Sequence, residues 1–148
     1  MSLNTDHFIT VQRTFPVSRE RMFKAWTTAD SLEQWFKPMQ MQTKVHTLEL
    51  HVGGAFRFIM TGPESKQVIY GTFLQIEPPE RLVFSWHAEG SNHPPTRVTV
   101  EFFEHRDGTE VRLTHGGFQD TEFAEGHAAG WGSIFDKLTV YALSSVSD

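Results

Sequence analysis

Eight histidines and no cysteine set the reactive inventory of this chain. Without thiols there is no disulfide, no thiolate metal site and no cysteine nucleophile. A histidine metal site needs ligands that converge, and the sequence has neither an H-E-x-x-H motif nor a His-x-His pair. His46 and His51 are five apart, so a regular strand turns them to opposite faces. His115 and His127 can meet across a sheet–helix junction with Glu101 or Glu110 nearby, but no acidic cluster stands at ligand spacing. No metal and no cofactor are expected. Ser85 and Ser133 lack the G-x-S-x-G setting of an activated hydroxyl. General acid–base chemistry is the more serious enzymatic option. His115 alternates with Val111 and Leu113 and is expected to face inward, where apolar surroundings favour the neutral ring. That ring suits a base or a hydrogen-bond acceptor for a ligand; it equally suits a core histidine satisfied by backbone, Tyr or Trp.

Aromatic side chains are the stronger signal. They make up 13% of the chain, thirteen of them Phe, which exceeds what a small core needs. Trp35, Phe36, Phe56, Phe58, Phe84, Trp86, Trp131 and Phe135 all come from segments expected to border one chamber. Apolar walls with few polar groups characterise ligand pockets, and rings accept flat or polycyclic molecules by stacking and burial. Core packing alone would also use these residues. Arg57 and Arg97 alternate with Phe56/Phe58 and Val98/Val100, which places both on the outer, solvated face.

The elements that must position these groups follow from periodicity. A strand runs from Phe8 to Phe15. Ser18 then caps a helix whose apolar face is Met22, Phe23 and Trp26, with Val17 and Met22 spaced as a hydrophobic staple. A second short helix is capped by Thr28 or Asp30, carries Glu33 three residues after Asp30, and stops at Lys37-Pro38. Thr43 to Val52 alternates as a strand with His46, Leu48, Leu50 and Val52 on one face, followed by a Gly53-Gly54 turn into Phe56, Phe58 and Met60. Further strands are expected near 67–76, 82–89, 96–105 and 110–117, with one-sided stripes at Val98/Val100/Phe102 and Val111/Leu113/His115. A long helix closes the chain, capped by Asp120 or Thr121, with apolar residues recurring every three or four from Phe123 to Ala142. Gly126, Gly130 and Gly132 each cost about 1 kcal/mol inside it relative to Ala. Either the helix backbone approaches the sheet closely, or it begins only near Gly130, or small residues widen one end of the chamber. The expected architecture is α+β: a curved antiparallel sheet of about seven strands around the C-terminal helix, with two short helices after the first strand.

At 148 residues the chain is one domain, residues 1–148, with no repeat or linker. Its formal net charge of −5 argues against nucleic acid as a partner. No apolar run approaches the ~20 residues of a membrane span. Residues 1–6 have neither a basic start nor an apolar stretch, so a cytoplasmic location is expected.

Taken together these segments resemble the START-like, helix-grip (SRPBCC) superfamily, in the branch named after the activator of the heat-shock-protein-90 ATPase. The resemblance is carried by the stretch from Val17 to Thr27, by Leu32…Trp35-Phe36-Lys37-Pro38, by Gly53-Gly54 with Phe56-Arg57-Phe58, and by the stretch from Gly71 to Trp86. It resumes from Thr109 to Phe118 and closes with His127, Gly130-Trp131 and Leu138. It implies a deep apolar cavity; some members of the superfamily are cyclases, aromatases or hydrolases, and many only bind. The co-chaperone that names the branch has a separate N-terminal region, for which this chain has no room, so chaperone activation is not expected to carry over. The expected function is non-catalytic binding of a small hydrophobic, aromatic or polycyclic molecule by Trp35, Phe36, Phe58, Phe84, Trp86, Trp131 and Phe135, with His115 as the polar contact. An enzyme of cyclase, aromatase or hydrolase type in the same cavity, and a co-chaperone-type interaction module, remain the alternatives. A homodimer through an edge or aromatic patch is compatible with the sequence.

Overall fold

The computed structural model describes residues 7–144; the reading of residues 1–6 lies outside them. The order is β1 (His7–Phe15), α1 (Arg19–Thr27), α2 (Ala29–Trp35), β2 (Gln42–Leu48), β3 (Ala55–Thr61), β4 (Lys66–Glu77), β5 (Arg81–Ala88), β6 (Thr96–His105), β7 (Gly108–Phe118) and α3 (Thr121–Ser144). The strands form one curved antiparallel sheet in the order β1-β7-β6-β5-β4-β3-β2. Its first strand in sequence therefore pairs with its last. The long α3 packs most extensively against β1. This is the expected helix-grip arrangement.

Local chemistry explains the boundaries. Ser18 caps α1, its hydroxyl accepting from the Arg21 N–H at 3.2 Å. Asp120 caps α3, its carboxylate accepting from the Phe123 N–H at 2.7 Å. At the start of α2 Thr28 occupies the cap position but turns its hydroxyl back to the Lys24 carbonyl. Glu33 closes no local box; its carboxylate accepts from the Val45 N–H of β2 at 2.8 Å.

One strand departs from its pattern. The alternation from Thr43 to Val52 places His46, Leu48, Leu50 and Val52 on one face, but the β2–β3 register shifts between Val45 and Thr47. The extra residue of that bulge turns His46 out to solvent while Thr43 is buried. The strand then ends at Leu48, and Leu50 and Val52 lie exposed in the following loop.

The inner face of the sheet supplies Phe56, Phe58 and Met60 from β3, Leu82, Phe84 and Trp86 from β5, Val98, Val100 and Phe102 from β6, and Val111, Leu113 and His115 from β7. Against them α3 sets Trp131, Ile134, Phe135, Leu138 and Ala142, and α1 sets Met22, Phe23 and Trp26. Arg57 and Arg97 lie on the outer face, where Arg57 pairs with Glu89 at 2.7 Å.

Candidate functional site

α3 is continuous from Thr121, so all three of its glycines are helical. A Cβ built on Gly126, Gly130 or Gly132 meets nothing within 4 Å. Close approach of helix to sheet is thus excluded as their explanation, and so is a late helix start. Gly126 and Gly130 face a pocket of about 550 Å³ between the first half of α3 and the sheet. Phe123, His127, Trp131 and Ile134 complete its helix side, and Met60, Ile69 and Trp86 its sheet side. Phe36 and Pro38 border it, and its rim carries His93 with the exposed Gln67, Asp120 and Glu122. The volume falls within the ~300–1,000 Å³ of ordinary ligand sites.

The ring-rich chamber lies elsewhere and is nearly full. Phe56, Phe58, Phe73 and Phe84 pack in tilted and edge-to-face contacts with centroids 5.2–6.1 Å apart, and only about 20 Å³ remains among them. Gly71 permits this density, since a Cβ there would stand 2.7 Å from the Phe56 ring and 2.0 Å from the Ser85 carbonyl oxygen.

The eight residues expected to bind a ligand therefore divide. Phe36, Trp86 and Trp131 line the open pocket. Phe58 and Phe84 wall the small void, together with Phe36 and Trp86. Trp35 and Phe135 are fully buried and line neither; Trp35 packs on Trp26 and Phe36, Phe135 on Phe15 and Trp26. His115 is fully buried behind Trp131 and outside the pocket lining.

The chemistry of His115 is fixed by its neighbours. The Trp131 indole N–H donates to its Nδ1 at 3.0 Å, and an indole is a donor only, so the ring proton resides on Nε2. That Nε2–H donates to the Thr96 hydroxyl at 2.7 Å, and the hydroxyl donates onward to the Trp86 carbonyl at 3.2 Å. Burial, helped by nearby His127, lowers the His115 pKa to about 2. Both ring nitrogens are occupied, which leaves no lone pair for a proton, a metal or a ligand. The residue anchors the indole that walls the pocket.

His127 differs. Its Nδ1–H donates to the Phe123 carbonyl at 3.0 Å. Burial lowers its pKa, the Phe123 carbonyl opposes and His93 reinforces the shift. The neutral ring keeps Nε2 as an acceptor, and the residue lines the pocket. His115 and His127 do approach, with centroids 5.0 Å apart, but Glu101 and Glu110 pair with Arg81 and Arg112 instead. Among the described residues no group of three or more His, Asp or Glu is placed to hold a metal. Ser133 accepts from the Met39 N–H, and Ser85 from the Thr72 N–H.

Sequence reasoning missed His93, Ile69 and the acidic rim as pocket residues. For the helix side a signal existed: Phe123, Gly126, His127, Gly130, Trp131 and Ile134 recur at alternating spacings of three and one, which is one helical face.

Comparison with known proteins places this geometry in a family. Residues 16–142 match the family model described as Activator of Hsp90 ATPase homolog 1-like protein, and the chain belongs to that family. Its fold is that of a ligand-binding or co-chaperone-like module. A solved protein from Chromobacterium violaceum superposes with a TM-score of 0.85 at 21% identity, over 91% of this chain and 96% of that one. The AHSA1 protein from Silicibacter pomeroyi gives 0.81 at 21% identity over 91% and 96%. CalU16 from Micromonospora echinospora gives 0.70 at 24% identity over 91% and 75%. At these identities the likeness concerns the fold. No curated protein matches the chain significantly. Among the described residues no helix is long and apolar enough to cross a membrane.

Proposed function

We propose that the protein binds a small hydrophobic molecule in the pocket between α3 and the sheet, without transforming it through His115. One observation carries this reading. In the half of α3 that faces the pocket, Gly126 and Gly130 leave about 550 Å³ open where side chains would otherwise fill the interior. Helix propensity alone disfavours glycine there by about 1 kcal/mol per residue. The rings of Phe36, Trp86 and Trp131 offer flat apolar contact, and His127 and the rim offer a few polar groups. The satisfied nitrogens of His115 favour binding over acid–base turnover at that residue.

The test is a titration with an uncharged fluorescent probe, N-phenyl-1-naphthylamine. Saturable binding is expected, weakened at least tenfold by G126L and G130L together, whose side chains would grow into the pocket. Equal affinity in that variant overturns the reading.

A further inference from the structure

The four tryptophans separate by what their N–H groups meet. Trp35 donates to the Ala25 carbonyl at 3.0 Å, and Trp131 donates to His115. Trp26 and Trp86 are only 4% and 7% exposed, and the N–H of each is buried without an acceptor. Both indoles belong to the wall of the same small void. An unmatched buried donor costs about 1–3 kcal/mol, so each of these two indoles, on residues that line one void, calls for a partner. Edge-on ring contacts, such as Trp86 with His115 at 5.4 Å, are too weak to replace it.

The chemistry of that partner is constrained. The unmatched groups are donors, so they call for an acceptor. The void, about 20 Å³, has room for roughly one non-hydrogen atom. Phe36 and Trp86 belong both to this void and to the open pocket, so they form the partition between the two. An acceptor carried on a ring system in the open pocket reaches these indoles only past the Phe36 and Trp86 rings. The residues lining the open pocket include no Lys or Arg, and its rim carries Asp120 and Glu122. A carboxylate ligand would find no countercharge there.

Building on the ligand-binding reading above, we infer that the ligand is an uncharged ring compound bearing a carbonyl-type oxygen, received by the indole N–H groups of Trp86 and Trp26 behind Phe36. Fluorene, 9-fluorenone and fluorene-9-carboxylate share one tricyclic skeleton and separate the contributions by calorimetric titration. Fluorenone is expected to bind about tenfold tighter than fluorene, the increment of one good hydrogen bond, and the carboxylate more weakly than either. In Trp86→Phe the ratio of fluorenone to fluorene affinity should fall to about one, with an unaltered circular-dichroism spectrum as the check that the variant is folded. The indole N–H resonances of the unaltered protein give a second readout: fluorenone, and not fluorene, should move two of the four. Equal affinity for fluorenone and fluorene, no fluorenone-specific resonance shift, or tighter binding of the carboxylate overturns the inference and leaves the pocket reading intact. No binding by any of the three overturns both.

Discussion

β3 and β5 pass through two regions of unlike density. At one end Phe56, Phe58 and Phe84 meet Phe73 and leave about 20 Å³; at the other Met60 and Trp86 face Gly126 and Gly130 across about 550 Å³. Both regions are apolar, and both draw on alternate residues of the same strands. What differs is the partner opposite. The filled end meets further rings, whereas the open end meets a stretch of helix in which Gly126 and Gly130 carry no side chain. Apolar composition therefore does not distinguish a core from a binding site; the volume supplied by the facing element does.

Three experiments would break or sharpen this contrast. The largest effect is expected at the filled end, where Phe84→Ala should cost about 3–5 kcal/mol in denaturant unfolding because its neighbours cannot collapse into the space. A cost below about 1 kcal/mol would show that this end is as loose as the other.

The second concerns acid. The folded pKa of His115 lies far below its unfolded value near 6.5, so the unfolded chain binds a proton that the native state refuses. Its stabilising contribution is complete above pH 6.5 and declines as the pH falls towards about 2. The slope approaches about 1.4 kcal/mol per pH unit for one proton. His127, also lowered, adds in the same direction. Unfolding measured at pH 7.5, 6 and 5 should show this decline, and His115→Asn, whose carbonyl still accepts the Trp131 N–H, should flatten it. Identical slopes in the two proteins would mean that the His115 ring titrates elsewhere.

The smallest effect is expected at the open end. Gly126→Ala and Gly130→Ala should each raise stability, by up to about 1 kcal/mol, since the added methyl meets open space and helix propensity improves. Destabilisation by either would mean that the helix does rest against the sheet there.

Much of the fold was legible because each local signal agreed with the next. Ser18 and Asp120 announce their helices, and the stripes at Val98/Val100/Phe102 and Val111/Leu113/His115 announce a sheet with one dry face. The bulge between Val45 and Thr47 was not legible, since no glycine or proline marks it and the alternation reads smoothly through it. Of the site, the inward face of His115 and the glycine spacing could be read. Which ring cluster is filled could not, because free volume depends on sheet curvature and on where α3 crosses, and neither is written in any single segment. The orphaned indoles of Trp26 and Trp86 are likewise invisible in sequence, where all four tryptophans look alike.

The carboxylate of Glu33 on the Val45 amide has a consequence for the protein in crowded solution. β2 is a border strand of an open sheet, and a border amide without a partner invites a strand from another molecule. With that donor engaged from within the same chain, and charged besides, a neighbouring copy finds one fewer place to begin stacking.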